Sequence, residues 1–489
     1  MSFDTDSEAQ HLKDFTNAAV SDSVPTKESL QHATDSLIVS LPEDGLGINR
    51  IKDHILNDLA PGFTGSSRCP TYYAFTTGAV TDAALFADWV VSTVDQNVHV
   101  HLPKDTVATA VEDSALRLLQ QLLNLDESRH PSRLFTTGAT ASNVIGIALG
   151  REFVISEAGR RKSPAINTSV AELGVLEACF QAEVTGIQIL ATMPHSSIYK
   201  AASAAGIGRD SVVLLPLSED EPWRFDLDAL AERMSGKHTI VWISAGELCT
   251  GRFATTGLEM TCIRSLADQH GAWVHVDGAF GLQTLVLPQT EEYKALNDGV
   301  RSLELADSIT GDAHKLLNVP YDCGFFFARN VALQQTVFGN PGAAYLSAAA
   351  LSIPSPLNLG LENSRRFRAL PVYASLLAYG RAWHSDLLQR QIALARRVAS
   401  YIVDSTAYEL LPNDDLSHIY MVVLFRARSV SLNERLVSLL NESREIHISA
   451  LPWKGSTAAR IAVGTWRVEV ERDFGLIVKA LDAAVDDTA

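Results

Sequence analysis

Cysteine is scarce in this chain: five residues in 489, Cys69, Cys179, Cys249, Cys262 and Cys323. They are odd in number, scattered, and without CxxC spacing, which excludes a disulfide framework and a cysteine zinc site, so no metal centre is expected. Positive charge is also in deficit. The 40 Lys and Arg face 57 Asp and Glu, a formal charge of −17, and nucleic-acid binding wants a basic face turned to phosphate. No run approaches the roughly 18 apolar residues of a membrane span; Thr239 to Ala245 reads as a buried strand instead. Met1 to Gln10 is acidic and polar, with neither the basic start nor the apolar middle of a signal peptide. A cytoplasmic location without nucleic-acid or membrane partners is expected. No internal repeat or low-complexity tract occurs.

What is present is an ordinary globular composition, 46% hydrophobic and 20% charged. The length calls for two or three domains or subdomains. Residues 1–68 read as a helical lead-in, with intermittent apolar spacing from Ile38 to Leu59, broken at Pro42 and ended by Pro61. From 69 to 374 short apolar strands alternate with longer amphipathic stretches. Strands are expected at Ser132–Phe135, Gly186–Ala191, Ser211–Leu215, Thr239–Ser244, Trp273–Val276 and Ser308–Ile309. Ala108–Leu125 is expected to be a helix with Val111, Ala115, Leu118 and Leu122 on one stripe. Such alternation implies an α/β domain whose largely parallel sheet is covered on both faces, with functional loops at strand ends. From 375 to 489 the pattern changes to a long helix (Leu377–Ile402) and strands at Tyr420–Phe425 and Arg460–Val463, a smaller α+β domain.

Four segments carry residues suited to chemistry. In Leu134-Phe-Thr-Thr-Gly-Ala-Thr-Ala-Ser-Asn143 a strand meets a small, hydroxyl-rich turn that opens a helix. The free N–H groups and positive end of that helix suit a phosphate, with Thr140 adding a hydroxyl. Helix capping alone also explains the hydroxyls, and the turn is neither GxGxxG nor a P-loop. In Pro194-His-Ser-Ser-Ile-Tyr-Lys-Ala-Ala202, His195 follows a strand and is able to lie flat on a ring, or to serve only as a helix-start histidine. In Gly271-Ala-Trp-Val-His-Val-Asp-Gly-Ala-Phe-Gly281 an apolar strand runs into Asp277 at the mouth of the sheet. There it is either a turn former or a carboxylate that keeps a pyridine nitrogen protonated. In Asp312-Ala-His-Lys-Leu-Leu-Asn318 a lysine precedes apolar residues, poorly placed for simple solvation and suited to a Schiff base. Phosphate turn, ring-face histidine, ring-nitrogen aspartate and aldehyde-binding lysine, in one chain, answer the four parts of pyridoxal 5′-phosphate (PLP).

At these residues the chain resembles the PLP-dependent group II amino-acid decarboxylases, the aromatic-amino-acid and glutamate decarboxylase superfamily of fold type I. The likeness runs from about Arg68 to Leu376 and more faintly beyond. It implies a mainly parallel seven-stranded sheet with helices on both faces and a homodimer with shared active sites. It further implies that Lys315 is the Schiff-base lysine, Asp277 the pyridinium partner and His195 the stacking residue. Gly138, Ala139 and Thr140 match phosphate contacts, Ala279 the small residue on the other ring face, and His314 a residue near the phosphate. Ser244 stands where many members carry Thr beside the cofactor. Tyr72, Tyr73 and Phe75 fall where members line the substrate pocket, favouring an aromatic or apolar amino acid. His99 and His101 are placed to enter the partner subunit's site, which would suit a carboxylate side chain instead, and Arg460 is a candidate carboxylate contact. Two features depart from the family. Its GTT reads Gly246-Glu247-Leu248 here, and the loop tyrosine that protonates the carbanion has no counterpart. Tyr345 matches an earlier position, and 346–365 contains no Tyr, Phe or His. Decarboxylation to an amine is the expected reaction. Other PLP chemistry (transamination, aldol-type cleavage, elimination, aldehyde formation) and an inactive scaffold stay open.

Overall fold

The computed structural model describes residues 23–340 and 353–487. Seven strands form the larger sheet: β1 Ser132–Thr136, β2 Ile187–Ala191, β3 Val212–Leu214, β4 His238–Ser244, β5 Trp273–Asp277, β6 Ser308–Asp312 and β7 Gly324–Ala328. Their order is β1-β7-β6-β5-β4-β2-β3, and all are parallel except β7, which runs antiparallel to both β1 and β6. Strands buried on both faces need apolar residues at consecutive positions, not at alternate ones. In β4, Val241 and Ile243 join the core on one face while Ile240 and Trp242 join the core on the other. Six of the seven strands lie where the sequence places them. β7 was not foreseen, because only a single helical turn, Ala313–Leu316, separates it from β6, so strand–helix alternation fails there.

Helices fill the crossovers. Gly257–His270 shows how locally a helix is encoded: Thr256 and Glu259 form a reciprocal capping box, and Gly271 ends it in the left-handed conformation. The helix expected from residue 108 spans Ala108–Leu122. Its buried stripe runs through Ala115, Leu116, Leu119 and Leu122, while Val111 and Leu118 are only half-buried beside it.

The C-terminal sheet is antiparallel throughout, β8 Tyr408–Leu411, β9 Val422–Ala427, β10 Ser449–Trp453 and β11 Ser456–Ala462, in the order β10-β11-β9-β8. Of these, β9 and β11 correspond to the expected strands. β8 and β10 are additional. The expected long helix is Ala369–Asp404, interrupted at Gly380, whose φ of 68° and ψ of 176° are not helical. At the other end of the chain, Lys27–Asp35 is capped by Thr26, and Ile48–Asp53 continues into a π-helical stretch, His54–Leu59, just before Pro61. Among the described residues no helix is long and apolar enough to cross a membrane.

Candidate active site

Register brings the chemistry to one edge of the large sheet. Ser244 pairs with Asp277, and Asp277 with Thr310, at the C-terminal ends of β4, β5 and β6. In open parallel sheets the loops beyond those ends build the site. Here they enclose a cavity of about 590 Å³.

Asp277 lies at its inner wall, almost fully buried. Its Oδ1 accepts from the Ala279 N–H at 3.1 Å and its Oδ2 from Asn143 Nδ2 at 3.0 Å. Burial pushes its carboxyl up, opposed by the Asn143 hydrogen bond and by the fields of His195 and Lys315. Among the described residues no cationic side chain pairs with it. His195, from the turn after β2, lines the same cavity. Its Nδ1 accepts from the Ser197 N–H at 3.2 Å and lies 2.9 Å from Ser197 Oγ.

At the phosphate-suited end, β1 passes through Gly138 into the helix Ala139–Arg160, whose start has no side-chain cap. Gly138, Ala139, Thr140 and Ala141 all line the cavity. The Ala139 N–H donates to Asp312 Oδ1 at 2.6 Å. The other oxygen of Asp312 pairs with Lys315 Nζ at 2.8 Å, so one carboxylate ties the lysine to the helix start. His314 packs at a tilt against Tyr321 with ring centres 4.3 Å apart, accepts from the Cys323 N–H, and is pushed down by burial. Gly78 passes so close that a Cβ there would stand 2.0 Å from the Lys315 carbonyl oxygen.

The remaining wall contains Ser244, Glu247, Leu248, Phe75, Phe280 and Arg460. Glu247 is turned back on its own loop, accepting from the N–H groups of Cys249 (2.6 Å) and Thr250 (2.5 Å) and from the Thr250 hydroxyl. Burial pushes its carboxyl up. The charge that replaces the family hydroxyl pair is therefore spent on holding the turn. Arg460 is 1% exposed and donates to the Leu248 carbonyl at 2.8 Å.

The structure gathers Lys315, Asp277, His195, Ala279, Ser244, His314, Phe75 and Arg460 around this space, with the phosphate turn. Tyr73 is a correction. Its backbone pairs with His447 and Ala462, and its ring is buried in the core of the C-terminal sheet, not in the cavity. His101 is buried too, and its Nδ1 is 2.7 Å from Thr109 Oγ1, away from this chain's cavity. His99 Nδ1 is 3.1 Å from the Asn97 carbonyl. Tyr345 and 346–352 of the changed loop lie outside the described residues. Sequence reasoning missed Asn143, Asp312 and Tyr321. Asp312 is signalled by an acid three residues before the lysine. Asn143 stands in the quoted phosphate motif without a role.

The family model described as the pyridoxal-dependent decarboxylase conserved domain matches residues 31–428. The chain belongs to this family. An L-2,4-diaminobutyrate decarboxylase of Acinetobacter baumannii is 29% identical over 63% of this chain; the match spans 58% of that relative's length. An aromatic-L-amino-acid decarboxylase of Catharanthus roseus is 23% identical, over 90% of this chain and 85% of its own. The crystal structure of Catharanthus roseus tryptophan decarboxylase in complex with L-tryptophan shares the fold with a TM-score of 0.78. It is 18% identical, and the likeness covers 99% of this chain and 96% of that one.

This family member is a carboxy-lyase with PLP as its cofactor, and the cavity fits that group. A buried, cation-free carboxylate complements a protonated pyridine nitrogen. The start of a 22-residue helix, whose N-cap Gly138 brings no side chain and where Asp312 takes the Ala139 N–H, complements a phosphate. The Lys315 amine, on the helical turn that follows β6, lines the same space.

Proposed function

We propose that the chain decarboxylates an L-amino acid with an aromatic or apolar side chain, and that Lys315 Nζ is the amine that carries PLP. One observation carries the reading most directly: Asp277 is a buried carboxylate with no cationic partner among the described residues, facing the cavity that Lys315 also lines. When bound, the cofactor supplies the electron sink for the pair left on Cα as CO₂ departs. The chain does the rest. Asp277 would supply the negative charge for the ring nitrogen, and His195, Ala279 and Ser244 would hold the ring. Gly138, Ala139, Thr140 and His314 would hold the phosphate.

Protonation of Cα is assigned to His195. Because a backbone N–H donates to its Nδ1, the neutral ring carries its hydrogen on Nε2, and that N–H gives the proton directly or through a water. Side-chain preference rests on the apolar wall of Phe75, Phe280, Leu248 and Leu451, and Arg460 is proposed to meet a substrate carboxylate. The chain works as a homodimer, a reading supported by the exposed apolar residues Leu37, Ile38, Val39 and Leu41 and by Phe75 at the cavity rim. A cytoplasmic location is supported by five unpaired cysteines.

A second outcome, aldehyde formation, is favoured by one feature, the lack of Tyr, Phe and His across 346–365. Product analysis on an amino-acid panel, measuring CO₂, amine and aldehyde together, tests both. Amine and CO₂ in equal amounts are expected. Aldehyde in place of amine would select the second outcome, and keto acid without CO₂ would end the decarboxylase reading.

A further inference from the structure

Behind Asp277 lies a buried hydrogen-bond chain whose members do not line the cavity. Asn143, on the helix Ala139–Arg160, is fully buried. Its Nδ2 donates to Asp277 Oδ2 and to Ser197 Oγ, both at 3.0 Å. Its Oδ1 lies 2.9 Å from His275 Nε2, and His275 Nδ1 lies 2.8 Å from Ser308 Oγ. Trp273 Nε1 donates to the same Ser308 oxygen at 3.1 Å.

The direction of every bond follows from the groups that have no choice. An ionised Asp277 only accepts, so the amide nitrogen of Asn143 must face it, and the amide oxygen must then accept from His275 Nε2–H. Burial pushes His275 down to about 3, so it is neutral and its Nδ1 accepts from Ser308. Trp273 only donates, which leaves the Ser308 hydrogen for His275. On the other branch Ser197 accepts from Asn143 and donates to His195 Nδ1. The chain is satisfied throughout, the condition under which a buried polar network stiffens a site. Space is also reserved for it: a Cβ on Gly146 would stand 2.6 Å from the His275 ring.

We propose that Asn143 is a positioning residue for the reaction, holding the Asp277 carboxylate and, through Ser197, the His195 imidazole in one fixed relation. The proposal rests on the roles given to Asp277 and His195 above. It implies that the Asp277 carboxylate and the Ser197 hydroxyl beside His195 Nδ1 are oriented by a single amide group.

The test is a double-mutant cycle in the holoenzyme, joined to imidazole nitrogen-15 spectra of the same proteins. Asn143→Ala should lower kcat about 10- to 100-fold with KM little changed, the range seen when outer partners of a reacting group are removed. Asn143→Ala combined with His195→Gln should lose little more than the worse single change. The His195 Nδ1 resonance should move in Asn143→Ala. Unchanged kcat, a change in KM alone, or losses that multiply would overturn the proposal. If Asn143→Ala does not fold, Ser197→Ala and Ser197→Thr decide the matter. The threonine, which keeps the hydroxyl, should recover most of the rate lost in the alanine variant, and equal rates in the two would sink the idea. Failure of the underlying reading looks different, because the wild type would then carry no PLP on Lys315 or release no CO₂.

Discussion

Asp277, Lys315 and His195 each depend on a partner that limits what the side chain can do, and each dependence is measurable. Asp277→Ala removes the only buried carboxylate proposed to sit beneath the ring nitrogen. Turnover is expected to fall at least about 10²-fold, on the scale of single electrostatic contacts in active sites; near-normal turnover would remove the role. Borohydride reduction of the yellow holoprotein, followed by peptide mapping, should place the cofactor on Lys315, and a label on Lys200 or any other lysine would undo the assignment. His195→Gln should slow amine formation more than it weakens PLP binding, since Nε2–H is assigned to the proton and the phosphate end is held elsewhere. Equal losses in both would make His195 a mere support. Asp277 was legible because it ends an apolar strand, and Lys315 because apolar Leu316 and Leu317 follow it directly, positions that sequence pattern reveals. Asn143 was not, since its partners Ser197 and Asp277 lie 54 and 134 positions away. Tyr73 misled for a related reason: nothing local says which of Tyr72, Tyr73 and Phe75 faces the cavity, and of the three Phe75 lines it while Tyr72 stacks on His447.

At the scale of elements, strands flanked by long helices announced themselves, whereas β7, β8 and β10 did not. Periodicity reports burial on one element at a time, and pairing partners are a matter of topology. The long helix Ala369–Asp404 shows both sides of this. Its apolar pattern was plain, yet its break at Gly380 needs a backbone angle that the pattern does not encode. Just beyond that break His384 is buried against Trp383, with its Nε2 lacking a hydrogen-bond partner among the described residues. Burial pushes its imidazole down to about 4 from an ordinary 6.5. A histidine with a depressed folded-state pKa binds its proton more readily when unfolded, so its contribution to stability is complete above about pH 6.5. It is lost as the pH falls toward 4, at about 1.4 kcal/mol per pH unit. Comparison with His384→Gln isolates the effect from the buried carboxyls. Between pH 6.5 and 4 the unfolding free energy of the wild type should fall more steeply than that of the variant by about this slope. Parallel curves would show that the ring is protonated in the folded chain.

For the whole molecule the decisive feature is apolar surface that a single chain leaves in water. Val39 is 91% and Leu41 98% exposed, beside Leu37 and Ile38, and Phe75 at the cavity rim is 63% exposed. On the helix Asp82–Val94, Phe86 and Trp89 stand three residues apart and so on one face, both exposed. Scattered exposed leucines need no explanation, but four exposed apolar residues within the five positions 37–41, interrupted only by Ser40, do. Covering them with a second copy would supply one. Burying a Val or Leu side chain is worth about 1.5–3 kcal/mol. Placing aspartate at both Val39 and Leu41 should therefore weaken self-association by at least about 100-fold, since each 1.4 kcal/mol is a factor of ten. Sedimentation velocity on the wild type should give twice the chain mass at micromolar concentration, and Val39→Asp/Leu41→Asp should sediment as single chains. Because neither position touches Lys315 or Asp277, any loss of turnover in that variant should track its dissociation and return as concentration rises. Wild-type chains that sediment singly while turning over at full rate would show that each cavity is complete within its own subunit, and the exposed run at 37–41 would then belong to some other contact.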